Sequence, residues 1–112
     1  MNTIKKEVIN VNDQNFEKLL SNDVVLVDFW AAWCAPCRMQ TPILHEVVEA
    51  IGDKAVIAKL DVDENRMMSA KYGISSIPTL ILFKKGKAVK QFIGVQSKET
   101  LIHQINNIVT QQ

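Results

Sequence analysis

Residues 24–39 read Val24-Val25-Leu26-Val27-Asp28-Phe29-Trp30-Ala31-Ala32-Trp33-Cys34-Ala35-Pro36-Cys37-Arg38-Met39. The first six are apolar on both alternating faces apart from Asp28, the pattern of a central strand covered on both sides. From Cys34 onward, Met39, Ile43, Leu44, Val47, Val48 and Ile51 recur at helical spacing, and Gly52 ends the run. Pro42 lies inside that helix and should kink it. The two cysteines of the chain therefore bracket Ala35-Pro36 at a strand-to-helix junction.

Outward from this stretch the pattern keeps alternating. Ile4–Val11 is a weak strand, and Asn12 and Asp13 can cap a short helix carrying Phe16, Leu19 and Leu20. Ala55–Val62 is a second buried strand with Lys59 set in it. Asp63 should cap a short helix through Met67, Met68 and Tyr72, closed by Gly73. Thr79–Phe83 and Ala88–Ile93 form a hairpin about Lys85-Gly86. Ser97 opens a last helix with the stripe Leu101, Ile102, Ile105, Ile108 and Val109. The order β-α-β-α-β-α-β-β-α predicts an α/β fold with a central mixed sheet and helices on both faces. No linker or repeat divides the chain, so residues 1–112 are expected to form a single domain.

Composition narrows the function. The chain is 47% apolar and 22% charged, with a net charge of +1, ordinary values for a globular protein that does not seek nucleic acid or anionic membrane. No apolar run is long enough to span a bilayer, and the N-terminus lacks the pattern of a secretory signal. A cytoplasmic location is expected, where thiols stay reduced and a persistent structural disulfide is uncommon. A bridge across so short a loop would add roughly 2 kcal/mol, little for a domain of this size. Zinc lacks ligands, because only His45 and His103 could join the cysteines and they are far apart, on the exposed faces of helices. A reactive dithiol is the reading that remains.

Asp28–Met39 resembles the active-site segment of the thioredoxin family. The likeness continues in Pro42-Ile43-Leu44, Ala58–Asp63, Lys71–Ile74, Ile77-Pro78-Thr79-Leu80, Leu82-Phe83-Lys84 and Gly94. Several separated motifs in the right order are far more specific than a lone Cys-x-x-Cys. Two departures stand out: Ala35 occupies the usual glycine position between the first cysteine and the proline, and Ser75-Ser76 precede Ile77.

A protein-disulfide reductase needs one exposed thiolate and a second thiol within its reach. Cys34 falls at a helix start, where free N–H groups favour negative charge, and is assigned as the attacking thiolate. Cys37, one turn later, is the resolving thiol, and Pro36 fits the first helical turn. Asp28 is expected to be buried with a raised pKa and Lys59 to be its partner; from the residues alone, a strand-end salt bridge and proton exchange with Cys37 stand side by side. The resemblance implies the second, with Asp28 and Lys59 in the catalytic set and Cys34 and Cys37 as the redox-active disulfide.

The resemblance also implies a cis peptide at Pro78 and a docking surface for an extended segment of an oxidised protein. That surface would comprise Trp33, Ala35, Pro36, Ile77, Pro78, Gly94 and Val95. Taken alone, Pro78 could be a rigid turn and Gly94 a simple bend. Trp30 is expected to pack beneath the site, and the Met67-Met68 pair to serve helix packing. The family further implies a monomer, no bound cofactor or metal, and electrons from NADPH through thioredoxin reductase. A disulfide oxidase or isomerase on the same fold, and a non-enzymatic binding module, are the rival readings.

Overall fold

A computed structural model describes residues 7–111. Five strands, β1 (Ile9–Val11), β2 (Val24–Trp30), β3 (Val56–Asp61), β4 (Thr79–Lys84) and β5 (Lys87–Ile93), form one sheet in the order β1-β3-β2-β4-β5. Helices α1 (Phe16–Leu19), α2 (Ala35–Ile51), α3 (Arg66–Lys71) and α4 (Lys98–Val109) connect or follow them, so the expected element order holds. β1, β3 and β2 run parallel, whereas β4 and β5 are antiparallel to their neighbours, which makes the sheet mixed.

β2 is central because it can be. Its first six residues are buried on both faces, as the continuous run demanded. Val25, Val27 and Phe29 point to one side and pack with Phe16, Leu19 and Leu20 of the α1 region and Met68 of α3. Val24 and Leu26 point to the other side, against Leu44, Val47, Val48 and Ile51 of α2 and Leu101, Ile105 and Ile108 of α4. Asp28 shares the parity of Val24 and Leu26, so the two-residue repeat of the strand places it on the face that α2 covers.

Several boundaries move. Within the described residues the first strand begins at Ile9, Glu7 and Val8 lying outside it, and residues 4–6 of the expected strand lie outside the described residues. Asp13 does not cap α1. Its carboxylate accepts the N–H groups of Met67 and Met68, at 3.2 and 3.0 Å, and so caps α3. Asp63 does not cap α3 either; Asn65 holds the N-cap position. α2 runs as one helix through Pro42. Met39 is 64% exposed and drops out of the apolar stripe of α2, and of the methionine pair only Met68 is buried. Lys85 and Gly86, both at positive φ, make the turn that returns β5 along β4.

Candidate active site

Cys34 closes the loop after β2 and is the N-cap of α2, with extended backbone at φ −91° and ψ 111°. Its Sγ accepts the backbone N–H of Cys37 at 3.2 Å. That amide is one of the donors a helix start leaves without a backbone partner, and here its acceptor is a sulfur. Cys34 and Cys37 are joined as a disulfide, with their Cα atoms 5.2 Å apart. Pro36 sits in the first turn, where its missing N–H removes no helical bond. Cys34 is 5% exposed and Cys37 fully buried, so Cys34 presents the sulfur that an outside group can meet.

Trp33 is 69% exposed beside Cys34, and its Nε1 donates to Asp63 Oδ2 at 2.8 Å. Ala35 and Pro36 are exposed, and Trp30 packs half-buried against Ala31, Cys34 and Cys37. The Ile77–Pro78 bond is cis, and the Ile77 carbonyl oxygen lies 3.8 Å from Cys34 Sγ. Gly94 N–H donates to the Pro78 carbonyl at 2.8 Å, bringing the loop after β5 up to the same rim. Gly94 has φ +90°, a conformation that glycine adopts without strain. Val95 next to it is exposed.

Asp28 is fully buried, and neither carboxylate oxygen has a hydrogen-bond partner among the described residues. Burial pushes its pKa from 3.8 up to about 7, with the Lys59 charge pulling the other way. Lys59 stands opposite Asp28 in the parallel register, yet the expected ion pair between them is not formed. Lys59 Nζ donates to Thr41 Oγ1 at 2.8 Å and lies 4.0 Å from the centroid of the Trp30 ring. Both contacts suit a cation: a hydroxyl acceptor and an aromatic face keep it satisfied without a carboxylate. Burial lowers the Lys59 pKa, opposed by the charge of Asp28.

Three contacts were not foreseen. Thr41 receives Lys59, and Asp63 anchors Trp33. Gln40, fully buried on α2, exchanges two hydrogen bonds with the backbone of Gln96. Gln40 carried a legible signal: it is a polar residue three after Cys37, at a core-facing position of an amphipathic helix. His45 and His103 are exposed, as expected. Among the described residues no group of three or more His, Cys, Asp or Glu side chains is placed to hold a metal ion, and no helix is long and apolar enough to cross a membrane.

Comparison with known proteins agrees with this geometry. The Thioredoxin family profile matches residues 7–107. A thioredoxin of Alicyclobacillus acidocaldarius is 53% identical over 102 residues, covering 90% of this chain and 97% of that relative. A thioredoxin of Bacillus subtilis is 46% identical over 99 residues, covering 88% and 95%. The solved structure of a mutant thioredoxin from Halobacterium salinarum superposes with a TM-score of 0.88 at 34% identity, over 98% of this chain and 99% of that one. With its cysteine pair at the N-terminus of α2, the chain belongs to the thioredoxin family and is a thiol–disulfide oxidoreductase.

Proposed function

We propose that this chain is a general protein-disulfide reductase of the cytoplasm, acting as a monomer and as one domain over residues 1–112. An extended segment of an oxidised protein docks over Trp33, Ala35, Pro36, Ile77, Pro78, Gly94 and Val95. Cys34 thiolate attacks one sulfur of the substrate disulfide; the new Cys34–substrate bond forms as the substrate bond breaks, and the departing thiolate takes a proton. Asp28 then accepts the Cys37 proton, and Cys37 attacks Cys34 Sγ. The Cys34–Cys37 disulfide forms, the second substrate thiolate leaves, and two electrons have passed to the substrate. A carboxyl with a pKa of about 7 suits that proton transfer near neutral pH. Lys59 tunes it through its charge. No cofactor binds the chain, and NADPH restores the dithiol through thioredoxin reductase.

The observation that carries this reading is the Cys37 amide directed at Cys34 Sγ, a donor that would favour the thiolate at the more exposed sulfur. Both cysteines are committed to this pair. Trapping tests the roles. Cys37→Ser is expected to accumulate mixed disulfides with an insulin-type substrate, and Cys34→Ser to accumulate none. The reverse result would exchange the two assignments.

A further inference from the structure

Gln40 lies on the buried face of α2, one turn after Cys37, and is fully buried. An amide there is unfavourable unless its donor and its acceptor are both paired. One partner satisfies both: Nε2 donates to the Gln96 carbonyl at 3.0 Å, and Oε1 accepts the Gln96 N–H at 2.7 Å. This is the reciprocal pairing that a neighbouring strand would supply, made by a side chain instead. Gln96 Nε2 donates in turn to the Gly94 carbonyl at 3.1 Å. Gly94 N–H donates to the Pro78 carbonyl. Residues 94–96 belong to no helix or strand, so these few bonds fix where they sit.

We propose that Gln40 is a positioning residue for substrate docking. It ties the Gly94–Val95 edge to the helix that carries Cys37 and holds that edge in register with the Cys34 sulfur. The inference rests on the reading that Gly94 and Val95 receive the substrate segment. Without the tie the loop must be ordered anew at each docking event, which weakens binding while the sulfur chemistry proceeds as before. Helix position and loop position are thus coupled through one side chain, with Gln96 as its counterpart.

Steady-state reduction of a protein disulfide tests this with three variants. Gln40→Met keeps the length of the side chain and removes both bonds; KM is expected to rise about tenfold while kcat changes by less than about twofold. Gln40→Glu keeps an acceptor for the Gln96 N–H and is expected to fall between Met and wild type. Val95→Asp tests the docking reading itself and is expected to raise KM. If Val95→Asp raises KM and Gln40→Met does not, the inference fails and the docking reading stands. If Val95→Asp leaves KM unchanged, the docking reading fails and the inference falls with it. A loss in Gln40→Met confined to kcat marks a merely structural residue and overturns the proposal. Should Gln40→Met not fold, hydrogen exchange at the Gln96 amide of the wild-type protein decides. Protection of at least about a hundredfold supports the tie, and exchange at the free-chain rate overturns it.

Discussion

On one face of the sheet Phe16, Phe29, Tyr72 and Phe83 interlock, with Phe16 5.9 Å from Phe83 and Tyr72 5.4 Å from Phe83, both in edge contact. On the other face, among leucines, isoleucines and valines, stand Asp28, Lys59 and Gln40. Both faces are built on the same strands, and the alternation of side chains along β2 separates them residue by residue. The aromatic face holds α1 and α3 on the sheet. The α2 face carries these polar groups, of which Asp28 is buried at a cost to stability, and it is the face covered by the helix that bears the cysteines. The apolar core is thus shared by both faces of one small sheet, and the proposed proton chemistry is confined to one of them.

Phe16→Ala attacks that division with the largest effect. The side chain is fully buried at the centre of the aromatic cluster, and its loss is expected to destabilise by about 3–5 kcal/mol in denaturant unfolding. The folded fraction should reduce disulfides at the wild-type rate. A large fall in rate per folded molecule would show that the two faces are not independent.

Asp28→Asn probes the other face. The ordinary carboxyl value of 3.8 and the folded value of about 7 differ by an amount equivalent to roughly 4 kcal/mol. Below about pH 4 the carboxyl is neutral in the folded and the unfolded chain, and the stability is fully present. As pH rises, the unfolded chain ionises first, so stability falls until about pH 7 and is flat above it. The Asn variant lacks this slope and is expected to be more stable than wild type at pH 8, by up to roughly 4 kcal/mol. It is also expected to resolve mixed disulfides more slowly, by a factor on the order of 100, in rapid-mixing experiments. Equal stability at pH 8 would mean that the carboxylate is solvated.

Lys59→Met refines the same point with a smaller effect. The charge of Lys59 lowers the Asp28 pKa, so its removal should carry the falling limb of the stability profile to higher pH. An unmoved profile would mean that the two groups do not sense each other. The smallest effect belongs to Ala35→Gly. Ala35 is exposed in the first turn of α2, and the change is expected to lower stability by less than about 1 kcal/mol with reductase activity retained.

The architecture was legible because its signals are local. The two-sided apolar run of β2, the stripe of α4 and the Lys85-Gly86 turn each declare themselves within a few residues. The cysteine site was legible for the same reason, since cap, proline and both sulfurs fall within one turn. What escaped depended on distant partners. Asp13 looks like the cap of the helix beside it, yet it serves α3, 54 residues on. Lys59, on the buried strand next to that of Asp28, reads as its natural partner, but a four-carbon stem can reach elsewhere, and its ammonium donates to a hydroxyl on α2. Gln40 and Gln96 are 56 residues apart, and neither alone announces the other.

The chemistry proposed for the α2 face turns on one group: a buried carboxyl with no hydrogen-bond partner among the described residues, which burial holds neutral until near pH 7. Titrating the Asp28 side-chain carboxyl carbon by NMR in the disulfide form measures this without a mutation. A midpoint near 7 is expected from its burial. A midpoint of about 4, the value of a solvated aspartate, would contradict it.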